Sequence, residues 1–228
     1  MLSEIAFGSY LAYCPRGDTD AHRQSQRVIR FLKNDTVVGV DPKPITRLVA
    51  ETLARDIHGS PLDGWFGPDV VLVPAPKSAR LVTGGLWVPE RLAKALVAVG
   101  LGREVVTCLE RTTAVPKATF ASAQDRPKAQ QHYETMAVHR VLPEIRDVII
   151  VDDVVTRGAT LLGAASRLAE ALPGVRVRGF AAIRTIQQPG RVLHDQRAGD
   201  RPDRVPRGRD ISPAVNDGFS TDRRQRAR

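Results

Sequence analysis

The thirteen residues Val148–Thr160, VIIVDDVVTRGAT, change character twice within one short stretch. Val148, Ile149, Ile150 and Val151 form an unbroken apolar, β-branched run, which predicts a strand buried on both faces. Two carboxylates follow at once, Asp152 and Asp153. Beyond Val154 comes a turn of small and hydroxylated residues, Thr156 to Thr160, from which ATLLGAASRLAEAL runs on with helical periodicity. Such a turn offers an anion the free N–H groups and positive dipole end of a helix start, together with the Thr156 and Thr160 hydroxyls. The carboxylates would repel that anion, so they face something cationic or hydroxylated beside it. Mg2+, which prefers oxygen ligands, and the hydroxyls of a sugar both qualify. A phosphorylated sugar with a neighbouring diol satisfies both halves of the stretch.

Outward from it, the chain alternates between helical and strand patterns. AHRQSQRVIRFLKN and KPITRLVAETLARDIHG read as amphipathic helices, the second starting at Pro44 and stopping at Gly59. Asp69 to Pro74 predicts a strand, about Pro89 to Val99 a helix, Glu104 to Leu109 a second strand and Arg146 to Asp153 a third. VRVRGFAAIRTI predicts the last strand of the core. Continuous apolar strands alternating with helices imply an α/β fold: a parallel twisted sheet with helices on both faces. Ligands of such sheets bind at the carboxyl ends of the strands, which is where Asp152 and Asp153 fall.

VIIVDDVVTRGAT resembles the phosphoribosyl-pyrophosphate (PRPP) signature of type I phosphoribosyltransferases, and the resemblance extends over about Val28 to Ile183. The helices ahead of the first predicted strand, and its ending VPAPKSAR, are similar to the ComF-like and amidophosphoribosyltransferase-like branch. The resemblance implies that Asp152 and Asp153 hold the ribose hydroxyls and help place Mg2+. Asp152 through Val154 and Thr156, Arg157, Gly158, Ala159 and Thr160 would then form the PRPP site, with the 5′-phosphate on the turn. Ala75, Pro76, Lys77 and Ser78, with Arg80 nearby, would bind pyrophosphate, where a cation and backbone donors suit a diphosphate. The long polar segment from Glu110 to about Met136 corresponds to the family's mobile loop. Arg111, Lys117, Arg126 and Lys128 are its candidates to cover the leaving pyrophosphate, and Lys117 and Arg126 are expected to be catalytic, with Gln130 or Gln131 at a further family position. The expected activity is displacement of pyrophosphate from C1 of PRPP by a base or amine. The alternative is a catalytically silent PRPP sensor or nucleic-acid-associated protein. A small N-terminal hood would supply acceptor specificity, and GSYLAYCPRGDTD offers Tyr10, Tyr13, Arg16 and Asp18 for it.

The expected organisation is therefore a phosphoribosyltransferase domain over 1–186, with 1–40 as hood and 41–186 as PRPP-binding core, and a basic tail over 187–228. The chain of 228 residues carries +9, and the tail holds ten Arg against six Asp, so nearly half of the excess lies there. Rich in Pro, Gly, Arg and Asp and without hydrophobic periodicity, the tail is expected to be disordered and gives a nucleic-acid arm its only sequence basis. Cys14 and Cys108 are too far apart to suggest a disulfide framework or a zinc site. No window is apolar enough for a membrane span and the first eighteen residues do not read as a signal peptide, so a cytoplasmic protein is expected. Expected partners are PRPP, a small-molecule acceptor and a second copy of the chain in a homodimer, with no membrane. GLGREVV precedes a strand and lacks a third glycine, which excludes a dinucleotide fingerprint, and no Walker loop occurs. The five histidines, Cys108 and Trp87 read as surface or packing residues.

Overall fold

In a computed structural model, the described residues are 1–15, 20–79, 84–115, 127–139, 145–186 and the backbone of 196–198. The central sheet has six strands in the order β10-β1-β9-β8-β4-β5. These are β1 (Ile5–Tyr13), β4 (Val70–Pro74), β5 (Glu104–Val105), β8 (Asp147–Val155), β9 (Arg176–Thr185) and β10 (Gln196–Ala198). Five run parallel, and only β10 pairs antiparallel, on the outer edge of β1. The expected lack of order in the tail otherwise lies outside the described residues.

The apolar runs are buried because both sheet faces are covered. Val148 and Ile150 pack with Val71, Val73 and Ala181 against α5 (Ala159–Ala171). Ile149 and Val151 pack with Leu72, Phe180 and Ala182 into the opposite layer, formed by α2 (Ile45–Asp56) and α3 (Val88–Ala98), with Leu32 from α1 (Asp20–Lys33). Val148 through Val151 are all fully buried, and each such side chain contributes about 1.5–3 kcal/mol relative to an exposed one. Asp35 ties the three-helix layer together. Its Oδ1 accepts from the Thr46 N–H (3.1 Å) and hydroxyl (2.8 Å), and its Oδ2 accepts from Arg91 at 2.9 Å. Asp35 reaches this position with φ 45°, a left-handed conformation that Asp tolerates better than most residues.

Three sequence expectations change. The stretch expected as a hood begins with a sheet strand: β1 runs parallel beside β9, from Phe7 against Gly179 to Tyr13 against Thr185. Alternating Ile5 and Phe7 point into the α5 core, and that burial outweighs the lack of a strong turn signal. The strand expected over Glu104 to Leu109 breaks after Val105. The chain leaves the main sheet there, and β6 (Leu109–Arg111) pairs instead with β7 (Met136–Val138) in a separate ribbon. Between them the segment expected as one loop carries α4 (Ala129–Glu134), whose closest packing partner is α5. The remaining small ribbon joins β2 (Val37–Val38) to β3 (Lys43–Pro44). No helix among the described residues is long and apolar enough to cross a membrane.

Candidate functional site

β4 lies between β5 and β8 in the sheet. The chain leaves β4 toward β5 on one side and leaves β8 toward β9 on the other, so the two connections diverge. In parallel α/β sheets such a divergence marks the switch point, and ligands bind in the crevice at the carboxyl ends of the two strands, here β4 and β8. Two of the sequence candidates meet there. Ala75–Ser78 follows β4 and Asp152–Thr160 ends β8, and the Ala75 N–H donates to the Val151 carbonyl at 2.8 Å.

β8 continues through the acidic pair to Val155, so the strand itself fixes the backbone of both carboxylates. The Asp153 N–H donates to Asp152 Oδ1 at 2.9 Å. Burial and then the neighbouring Asp153 push the Asp152 carboxyl well above the usual carboxylate range, against a smaller opposing pull from Lys33 at the end of α1. An anion held at this cost is offset by whatever cation or hydroxyl donor it meets. No cluster of three or more His, Cys, Asp or Glu able to hold a metal occurs among the described residues. A carboxylate pair alone fits Mg2+, which takes one or two carboxylates and fills its shell with water and substrate oxygens.

After Val155 the chain turns through exposed Thr156 and Arg157 into Gly158, whose φ of 71° lies in the region that only glycine enters freely. Gly158 is the N-cap of α5, and its carbonyl accepts from the Leu162 N–H at 2.9 Å. Ala159 and Thr160 open the helix, and their backbone N–H groups are among the four that a helix start leaves without intrahelical partners.

The loop after β4 is held from several directions. The Trp87 indole N–H donates to the Ala75 carbonyl at 2.9 Å, so this buried Trp clamps the loop as well as packing in the core. Lys77 Nζ donates to the Leu86 carbonyl (2.9 Å) and the Val115 N–H to the Ser78 carbonyl (2.9 Å). Pro76 lies between these anchors and removes one backbone donor.

Arg111 differs from the sequence expectation. Only 2% exposed, it is no surface cation for pyrophosphate. Its Nε donates to the Lys77 carbonyl (3.1 Å), Nη1 to the Thr135 hydroxyl (2.7 Å) and Nη2 to His132 Nδ1 (3.2 Å). Burial pushes its guanidinium down to about 10. His132, on α4, is buried, and burial followed by the Arg111 charge pushes it down to about 4. Its Nε2 lies 3.5 Å from Thr160 Oγ1. Sequence reasoning set His132 aside as one more packing histidine. The one signal that could have found this contact is Gly163 in the middle of α5, a costly residue there unless another element approaches closely. A Cβ at Gly163 would lie 2.7 Å from the His132 Cβ.

Lys117, Arg126 and Arg80 lie outside the described residues, as do Arg16 and Asp18. Lys128 and Gln131 form the start of α4, where Gln131 Oε1 accepts from the Lys128 N–H (3.0 Å), and Gln130 bonds Glu134 (2.7 Å). The two tyrosines expected in the hood divide. Tyr10 donates its hydroxyl to Asp56 on α2 (2.8 Å), and burial with that carboxylate pushes the phenol up. Tyr13 stacks on His22 at 5.9 Å between centroids and lines an open groove of about 340 Å3 with Gln26, Ile29, Arg30, Lys33 and Asn34. Lys33, one of its lining residues, is also a cation that favours the charged form of Asp152.

No family model matches the chain, and no curated protein matches it in sequence. Among solved structures, it is similar to an alanine mutant from an analysis of an invariant aspartic acid in HPRTs. The identity is 16%, with 62% of this chain and 74% of that chain covered and a TM-score of 0.30. It is also similar to the glutamic acid mutant of the same analysis, at 17% identity, with 71% and 78% covered and a TM-score of 0.30.

Proposed function

We propose that the chain is a phosphoribosyltransferase of the type I kind, which displaces pyrophosphate from C1 of PRPP with a nitrogen nucleophile. The observation that carries this reading is the meeting, at the switch point of the sheet, of a half-buried carboxylate pair, a glycine-capped turn into a helix, and a clamped loop bearing Lys77. Each part suits one part of PRPP. Asp152 and Asp153 accept hydrogen bonds from the ribose hydroxyls. Thr156 to Thr160 take the 5′-phosphate on N–H groups and hydroxyls, with the helix dipole favouring its charge. Lys77, with the backbone of Ala75, Pro76 and Ser78, orients the pyrophosphate. Lys117 and Arg126 are assigned to cover it.

The reaction forms a C1–N bond and breaks the C1–O bond, and the pyrophosphate departs with both electrons of the broken bond. The chain's contribution is to hold the sugar so that the acceptor meets C1 in line, and to set positive charge where the leaving group gathers negative charge. Bound Mg2+ would neutralise part of the diphosphate charge. The acceptor is assigned to the groove of Tyr13, Ile29, Arg30 and Lys33, whose volume falls within the range of small-molecule pockets.

Calorimetry with PRPP and Mg2+, paired with a pyrophosphate-release screen over purines, pyrimidines, nicotinate-like rings and ammonia, tests the reading. Wild type should bind PRPP and release pyrophosphate with one acceptor class. The Asp152→Asn, Asp153→Asn double variant should remain folded and lose both. Undiminished PRPP affinity in that variant would sink the assignment. PRPP binding without release for any acceptor would leave a sensor.

A further inference from the structure

Arg111 is a buried guanidinium whose hydrogen-bond acceptors among the described residues are all neutral: the Lys77 and His132 carbonyls, the Thr135 hydroxyl and the His132 ring. It enters none of the salt bridges among the described residues. A guanidinium carries only donors, so His132 Nδ1, 3.2 Å from Nη2, must present its lone pair. A neutral ring that accepts at Nδ1 carries its proton on Nε2. That nitrogen faces Thr160 Oγ1 at 3.5 Å, a loose contact of the kind that tightens when a site fills. A hydroxyl that accepts from Nε2–H must direct its own proton elsewhere, and Thr160 stands in the first turn of α5.

We propose that Arg111 and His132 are positioning residues for the anion-binding turn: Arg111 fixes the His132 tautomer, His132 donates to the Thr160 hydroxyl, and Thr160 is left to donate to a phosphate held on the turn. The proposal rests on the reading of Thr156–Thr160 as a phosphate site. The same guanidinium holds the Lys77 carbonyl, so the two loops that flank the crevice share one buried anchor. The low position of the His132 ring, at about 4, agrees with a neutral imidazole at working pH.

The test uses the full chain. Long-range nitrogen–proton correlation spectra should show His132 as the Nε2–H tautomer between about pH 6 and 8, where a free imidazole would already be titrating. Titration with inorganic phosphate, followed at the Thr160 amide, and calorimetry with PRPP and Mg2+ then compare three proteins. His132→Gln keeps an N–H near the Nε2 position and should bind both anions within about threefold of wild type, whereas His132→Leu should weaken both by roughly tenfold, the worth of one hydrogen bond. Thermal melts confirm that each variant is folded, and the Gln variant keeps the comparison open if Leu is not. An Nδ1–H tautomer, equal anion affinity in the Gln and Leu variants, or no phosphate response at Thr160 would overturn the proposal. Wild type that binds phosphate in a His132-dependent way but not PRPP would retire the phosphoribosyltransferase reading and leave this inference standing.

Discussion

Gly163→Ala sets a local rule against a tertiary one. In an exposed helix interior the exchange would stabilise by about 1 kcal/mol, because glycine loses more backbone freedom on folding than alanine does. At this position the new Cβ would lie 2.7 Å from the His132 Cβ, 2.8 Å from the Tyr133 nitrogen and 2.9 Å from the Ala129 carbonyl oxygen, against 3.4–4 Å for ordinary contact. All three atoms belong to the backbone or first carbon of α4, so no side-chain rotation relieves them. α4 would have to back away by several tenths of an ångström. It is pinned to α5 by Arg167, whose Nε donates to the Tyr133 carbonyl (2.7 Å) and whose guanidinium lies 3.9 Å from the Tyr133 ring centroid. Overpacking of this kind costs about 1–3 kcal/mol, so the net effect should be a loss of about 1 kcal/mol or slightly more. For a domain of this size that lowers Tm by about 2–4 °C. Because α4 carries His132, the same shift should lengthen the contact to Thr160 and weaken PRPP binding. A calorimetric melt with PRPP titration reads both. A rise in Tm would mean that propensity wins and that α4 does not hold the position described.

Two further perturbations test the charges at the crevice. The folded chain protonates His132 only at about 4 while an unfolded histidine takes a proton at 6.5, so between those values the unfolded state binds more protons and stability falls as pH falls. Urea melts at pH 7 and 4.5 should show wild type losing about 2–3 kcal/mol more than His132→Gln, and parallel pH slopes would contradict a buried neutral imidazole. Asp152 works in the opposite sense, because its raised carboxyl stabilises the protonated fold and costs stability as pH rises through that raised value. Asp152→Asn at pH 7 should therefore raise Tm while PRPP binding is lost, and a fall in Tm would show the carboxylate to be structurally supported.

Sequence order and apolar patterning made the sheet legible from β4 onward, because Val148–Val151, Val70–Val73 and the β9 run are buried for local, readable reasons: each is continuous, short and bounded by a turn. The place of the acidic pair at the end of a strand and of the turn before a helix was legible for the same reason, since both are written in consecutive residues. β1 was not. Its partner β9 lies more than 170 residues away in sequence, and nothing in IAFGSYLAY alone separates a strand of the sheet from a packed cap. The break after Val105 was also hidden, because whether a strand stays in one sheet or leaves to form a ribbon with β7 depends on what α4 packs against. Lys77, Arg111, His132 and Thr160 come from four separate stretches and share no spacing. Their convergence is a property of the α4–α5 contact, which the sequence betrays only through a glycine where a helix would prefer almost anything else.

Among the described residues, Asp152 and Arg111 carry charge of opposite sign and do not pair with each other. Asp152 is raised by burial and by Asp153, with Lys33 as the attractive partner, whereas Arg111 is lowered by burial and bonded to neutral acceptors. Folding for stability alone would pair such groups with each other or replace them by apolar residues, since an uncompensated buried charge costs several kcal/mol. Under the proposed function, one molecule would meet both ends of the site, anionic toward the turn and hydroxylated or metal-bound toward Asp152. A sugar phosphate has that division along its length. A simple anion such as sulfate would satisfy the turn and leave Asp152 strained, and a divalent cation alone would do the reverse. Protection of the fold against heat should therefore be greater with PRPP and Mg2+ together than the sum of the effects of phosphate and Mg2+ added separately.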